Sequence, residues 1–442
     1  MRGGIVRAGW ASILAVGGIM LGGVSAQAAD LGGDCCADLE ERVADLEATT
    51  ARKGNRKVSL TISGWVNEAA FFWDDGTESN VYVGTNNLEQ SRFKFAGEAK
   101  IDKDWSAGYT IEIGIWGHDS SRWNQIGPQD PAAAGSHDNS MQIRKSNWWI
   151  KSKTYGKLTV GLEGTSTYHL LDDADGANTR NYSDAEAASV AQGAFQIRSG
   201  GVLQAGSGGA TLRWNDLARG FNNGTPGQDG RRNIVRYDSP EFGGFVASAS
   251  WGEDDLWDTS LSYKGEIHDF KLVAKIGYGE SADPVATNCG GPTGNFKCTW
   301  WGAAATAMHQ PTGLYLYGGY GQQTIDSLPG AFDDTSTSYF LQPGIERKWH
   351  ALGKTTIFGE YRKDEAGASV GSNASGSGVG TINTRGADLT FYAGGVVQNI
   401  EAAAMDLYVI YRHAEGDYIS STPARVEIDD FDMVISGARI QF

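Results

Sequence analysis

A transmembrane antiparallel β-barrel of about sixteen strands, all-β apart from one short N-terminal helix, is the fold this sequence predicts. Three observations carry it. From residue 57 to the end, segments of about ten residues alternate polar and apolar positions with period 2. The connections between these segments alternate short and long, as do the turns and loops at the two ends of an outer-membrane barrel. After the N-terminal segment no run approaches the about 18 apolar residues of a membrane-spanning helix. In lipid, the remaining way to satisfy every backbone group is a closed barrel.

Composition agrees. Of 442 residues, 61 are glycine and 10 proline, with 14 Trp and 17 Tyr. Glycine at roughly twice average usage beside so many aromatics suits strands, long loops and an aromatic belt rather than a disordered tract. Mean hydropathy is polar, as it must be when only alternate strand residues face lipid. The net charge of −16 argues against a nucleic-acid partner, which needs a basic surface. It fits an acidic lumen or cation-binding loops, and equally a solubilising charge.

Residues 1–28 read as a secretory signal peptide. Arg2 and Arg7 precede an uncharged apolar run over 10–24, and Ala26-Gln27-Ala28 has the small-x-small cleavage pattern. The run is too short for a bilayer-spanning anchor. Residues 29–56 hold a helix over 34–51. Leu39, Val43 and Leu46 take a and d positions, with Glu40, Glu41, Arg42, Asp45 and Glu47 on the other faces. Two heptads are unstable alone, so the helix joins a self-associating bundle or lies on its own domain.

The barrel occupies 57–442. Strands are predicted at 58–73, 91–101, 105–116, 141–152, 157–164, 231–238, 245–253, 257–265, 269–279, 299–309, 313–323, 337–349, 354–363, 387–398, 405–414 and 425–442. In the second, Phe93, Phe95, Ala99 and Ile101 share one face and Arg92, Lys94, Glu98 and Lys100 the other. Long loops are predicted near 74–90, 117–140, 165–230, 280–298, 324–336, 364–386 and 415–424, with both termini at the short-turn end. Trp65, Trp73, Trp148, Trp149, Trp300 and Trp301 are read as interface-belt residues.

The segment Arg232-Asn233-Ile234-Val235-Arg236-Tyr237-Asp238-Ser239-Pro240-Glu241-Phe242-Gly243-Gly244-Phe245 resembles the N-x-V-x-Y-x-S-P-x-F-x-G-F strand–turn–strand of general-diffusion porins. The acidic helix followed by Ala51-Arg52-Lys53-Gly54-Asn55-Arg56-Lys57-Val58-Ser59-Leu60 is similar to the start of alphaproteobacterial porins. The terminal Phe442, on one face with Ile440, resembles the membrane-insertion signal of outer-membrane barrels. The resemblance covers essentially the whole mature chain. It implies a homotrimer in the outer membrane, in contact with lipid and lipopolysaccharide, that passes small polar solutes and ions. It also implies that the long loop at 165–230 folds into each lumen and that the loop near 117–140 latches onto a neighbour.

Such a pore needs no catalytic residue and no cofactor. Selectivity comes from radius and from charges at the constriction. The candidate acids are Asp172, Asp173, Asp175, Asp184 and Glu186 on the loop; the candidate bases are Arg92, Lys94, Arg236, Arg362 and Arg412 on inward strand positions. Acids on one wall and bases on the other would set a transverse field across the water path.

Cys289 and Cys298 bracket eight residues in a predicted outer loop, and export to an oxidising compartment makes a disulfide the first reading. Cys35 and Cys36 are adjacent. A pair between subunits, a strained vicinal bond and free thiols all stay open. The seven histidines are scattered and none stands at zinc-ligand spacing from a cysteine. Gly367-Ala368-Ser369-Val370-Gly371 matches a hydrolase elbow in pattern only, being in a Gly/Ser-rich loop. Gly353-Lys354-Thr355 lacks the earlier glycine of a phosphate loop, Lys348 standing there. The alternatives are a substrate-specific channel, marked by an aromatic track or lysine arm, and a barrel-anchored adhesin or enzyme.

Overall fold

The computed structural model describes residues 57–442 except 117–119, 126, 128–139, 178, 180–192, 207–208, 210, 219–230, 253–254, 282–296, 327–331 and 371–381. The wall begins with β1 (Thr61–Asp74), β2 (Ser79–Thr85), β3 (Arg92–Lys100), β4 (Trp105–Trp116), β5 (Ser140–Ser152) and β6 (Gly156–Gly164). It continues through β7 (Arg231–Asp238), β8 (Phe245–Gly252), β9 (Leu256–Ile267), β10 (Phe270–Ser281), β11 (Cys298–His309) and β12 (Leu314–Ile325). It ends with β13 (Thr335–His350), β14 (Gly353–Ala366), β15 (Ile382–Ile400), β16 (Met405–Ser420) and β17 (Arg425–Gln441). Neighbours pair antiparallel all the way round. Trp65↔Gln441 through Asp74↔Asp432 closes β17 on β1, which removes the free sheet edge.

These are sixteen wall positions, because β2 and β3 share one. β2 pairs with the far half of β1, from Glu68↔Thr85 to Asp74↔Ser79. β3 pairs with its near half, from Thr61↔Ala96 to Trp65↔Arg92. The segment predicted as a loop at 74–90 therefore contributes a strand of its own, Ser79–Thr85, to the wall. The step between the halves is held by side chains. Asn67 donates from Nδ2 to the Glu89 carbonyl at 2.9 Å, and its backbone N–H reaches Ser91 Oγ at 2.9 Å. Asn86 donates to the Tyr408 hydroxyl at 3.1 Å and accepts from the Leu88 N–H. The second correction is at 415–424, where β16 and β17 carry their ladder to Ile419↔Arg425.

Alternation sets the faces. Along β1, Trp65, Asn67, Ala69, Phe71 and Trp73 turn inward, and Ile62, Val66, Ala70 and Phe72 outward. Outward rings of Tyr339, Tyr361, Tyr392 and His413 follow one another on adjacent strands, with centroids 6.4, 5.6 and 6.2 Å apart. This is the aromatic girdle expected where the apolar band meets the headgroups. Of the six tryptophans read as belt residues, Trp148 and Trp301 are exposed outside, whereas Trp73 and Trp300 are buried inside and Trp65 faces the lumen. Trp149 pairs with inward Thr159 and lies under Lys157 Nζ at 5.4 Å. Phe442 is exposed, and its backbone bonds Gly64 in both directions at 3.0 Å.

The described parts of the 165–230 loop lie inside the barrel. Leu170, Leu171, Phe195, Ile197, Leu212 and Trp214 pack on inward Phe71, Trp73, Tyr317, Phe391, Phe431 and Met433 in one buried cluster. A water-filled lumen offers no reason for such residues. Covering one side of the wall with an apolar loop removes both surfaces from water and leaves the passage on the other side.

Candidate functional site

That passage is a polar cavity of about 320 Å³ between the loop and the wall from β1 through β10. The loop enters it at a fixed root. Asp258, buried on β9, accepts from the Ser166 N–H and hydroxyl (3.1 and 2.8 Å), from the Thr167 N–H (2.9 Å) and from the Thr167 hydroxyl. A carboxylate with this many donors is firmly placed. Arg236 Nη1 adds bonds to the Gly164 and Thr165 carbonyls at 3.1 and 3.0 Å. Beyond the root, His169 takes a positive φ of 52°, a rare conformation for a side-chain-bearing residue. A short 3-10 turn over Asp172–Ala174 follows.

Charges ring the cavity as neighbours of opposite sign. Arg92 lies 3.4 Å from Glu112 and 3.7 Å from Glu89, with its guanidinium 4.5 Å from the Trp65 ring centre. Lys145 pairs with Glu163 at 2.5 Å, and Lys275 with Asp173 at 2.7 Å. Arg144 stands 2.9 Å from Glu112 and donates to Gln90 Oε1 at 2.8 Å. Arg144 and Lys145 are consecutive yet both turn inward. A register shift opposite Glu112 and Ile113 causes this, since a β-bulge re-aims one side chain. Strict alternation would have sent one of them outward; neither was among the candidate bases from sequence. Ser248, Ser260 and Ser262 complete the polar lining.

The structure brings Asp173, Arg92 and Arg236 together on this cavity. Lys94 is on the inward face, opposite Glu112 in register. Asp172 is buried with His169 Nδ1 2.8 Å away. Asp175 accepts from the Ala177 and Thr179 N–H groups at 2.7 and 3.0 Å and so shapes its own loop. Arg362, fully buried, makes a two-pronged contact with Asp364, both arms at 2.8 Å, and Arg412 is buried too. Both are under the apolar packing rather than on the cavity. Asp184, Glu186 and Cys289 lie outside the described residues; Cys298 is disulfide-bonded.

The far end of the loop is also tied. Arg198 Nε donates to Asp75 Oδ2 at 2.6 Å and its Nη2 lies 3.0 Å from Glu78. Burial by itself would raise the Asp75 pKa. The Arg198 guanidinium and the N–H groups of Thr77 and Glu78 outweigh it and hold the carboxyl below its ordinary value.

A closed sixteen-strand barrel with an apolar outside, an aromatic girdle and an ion-lined passage beside an inward loop is a membrane channel of the porin class. The family model described as Gram-negative porin matches residues 19–428, and the chain belongs to that family. It is 22% identical to a chitoporin of Vibrio furnissii over 67% of this chain and 69% of that one. Among solved structures it is similar to an anion-selective porin from Comamonas acidovorans (15% identity, TM-score 0.56, covering 87% of this chain and 100% of that one). It also resembles OmpF of Salmonella typhi in complex with daunomycin (12% identity, TM-score 0.50, 88% and 99% covered). The protein is an outer-membrane diffusion channel, and its family and fold point to a channel rather than an enzyme.

Proposed function

We propose that the chain is a general-diffusion porin of the alphaproteobacterial type, passing small hydrophilic solutes and ions without chemistry and working as a homotrimer. One observation carries the diffusion reading. The described lining of the cavity is ionised pairs and serines, with Trp65, Tyr168 and His169 as its only rings. One tryptophan and one contacting pair, Tyr168 and His169 with ring centres 3.9 Å apart, do not make a sliding track for sugars. Hydrated solutes exchange water for charged and hydroxyl groups here, and apolar ones lose hydration without return.

The trimer reading is supported by Glu68. It is exposed on the outer face midway along β1, with the Thr85 and Ser91 hydroxyls donating to it at 2.8 and 3.3 Å. A carboxylate facing lipid at that depth is unfavourable, and contact with a neighbouring subunit removes it from lipid. In the same reading, residues 1–28 are removed on export, 29–56 form a helix on the periplasmic side, and lipid and lipopolysaccharide surround the trimer. Phe442 then acts as the insertion signal. The selectivity charges are those on the cavity. Single-channel recording in a planar bilayer under a salt gradient tests this. Large non-saturating steps that close in thirds are expected. Block that saturates with one solute would instead favour a substrate-specific channel.

A further inference from the structure

We propose that the outer rim of the barrel carries a divalent transition-metal site formed by His413, Glu415 and Asp430. Their ligand atoms all lie within 4.8 Å of one another, and His413 Nε2 is 3.7 Å from Glu415 Oε2. The backbone creates the cluster. The β16–β17 register shifts between Ala414↔Phe431 and Gly416↔Ile428, leaving Glu415 against two residues, Asp429 and Asp430. Alternation already puts His413 and Glu415 of β16 and Asp430 and Asp432 of β17 on the outer face, and the shift leaves the extra residue beside Glu415.

Acidic residues gathered at a rim are not a site in themselves. The imidazole is what distinguishes this one. His413 Nδ1 is 2.9 Å from Asp432 Oδ1, which also accepts from the Tyr411 hydroxyl. A carboxylate on Nδ1 fixes the ring and the tautomer and presents Nε2 as a lone-pair donor, the arrangement found behind metal-bound histidines. Nε2 faces Glu415. Among the described residues no Lys or Arg forms an ion pair with Glu415 or Asp430; the nearby Lys363 and Arg425 are engaged with Asp388 and Asp417. One nitrogen and two carboxylates, with water as a fourth ligand, suit Zn²⁺ and its neighbours. Ca²⁺ takes oxygen ligands and gains nothing from the imidazole. His413 ends the girdle, so the ion would sit at the headgroup level on the outside, away from the passage.

The test is titration of the purified, folded protein in detergent with Zn²⁺ by calorimetry and with Co²⁺ by visible absorption. We expect one ion per chain and Co²⁺ bands of a nitrogen-containing site. His413→Ala and Glu415→Gln should each weaken binding at least tenfold, and Asp432→Asn by about tenfold through loss of ring orientation. Channel conductance should stay unchanged. No binding by the wild type, binding untouched in His413→Ala, or displacement of Zn²⁺ by equimolar Ca²⁺ would each overturn the proposal. Should His413→Ala fail to fold, the Co²⁺ spectrum of the wild type decides alone, oxygen-only bands rejecting the site.

Discussion

Lys275 meets Asp173 at 2.7 Å, a wall ammonium against a loop carboxylate, both partly open to the water path. The pair joins the fixed barrel to its inward loop on the polar cavity. With both charges present their fields largely cancel at a distance. Removing either leaves a net charge facing the passage.

Asp173→Lys should therefore shift the reversal potential under a salt gradient towards anions, and Lys275→Glu towards cations. Shifts of opposite sign are expected from sites whose carbon frameworks barely differ in position. Reversal potentials equal to wild type in both variants would remove this pair from the selectivity determinants.

The root of the loop is more sensitive. Asp258→Ala takes the carboxylate from the Thr167 N–H and from the Ser166 and Thr167 hydroxyls in a buried place, the Ser166 N–H keeping Ser250 Oγ at 3.1 Å. Unsatisfied buried donors cost about 1–3 kcal/mol each, so the loop should loosen by several kcal/mol while the wall ladders stay intact. Larger and noisier single-channel steps are expected from a protein that keeps its heat-modifiable mobility on a gel. Quiet wild-type steps would show that the loop is held elsewhere.

Packing should divide in the same way. Trp214, 2% exposed, has ring centres 6.2 Å from Phe391 and 6.1 Å from Phe431. Truncating a buried tryptophan to alanine costs about 3–5 kcal/mol. Trp214→Ala should make the loop a protease target in the folded protein, with cleavage confined to 165–230. Resistance equal to wild type would mean that the other buried residues hold the loop without it.

The strands were legible in the sequence because alternation needs no partner to be seen. Phe93 and Phe95 announce one face, Arg92 and Lys94 the other. Two features were not. The step at Asn86–Ser91 reads as a turn, Asn-Asn being turn chemistry, and partners distant in the chain, Asn67, Ile115, Arg144 and Tyr408 among them, keep it in the wall. The bulge at Arg144 and Lys145 reverses alternation for one residue, and nothing local marks it. Arg362 and Arg412 are buried, so an inward position is not an open one. The missed signal was β17, where Ile428, Phe431, Met433 and Ile435 are buried inside while Val434 and Ile440 face out. A strand apolar on both faces has both faces covered. The apolar residues of the loop named what covers it.

Acid should release the loop at its far anchor. The Asp75 carboxyl has a lower pKa folded than unfolded, so its pair with Arg198 contributes stability that is fully present above the unfolded value of about 4. That stability is lost as the pH falls through the folded value. Between pH 5 and 8 the anchor should be insensitive. Below about pH 4, loop motion should appear as flickering or closure in single-channel records. Asp75→Asn removes the titrating group, keeps a hydrogen-bond acceptor for the Thr77 and Glu78 N–H groups, and leaves Arg198 with the Glu78 carboxylate and the Gly201 carbonyl. This variant should flicker at neutral pH and lose the acid transition. An acid transition of unchanged midpoint in Asp75→Asn would assign it to a group other than Asp75.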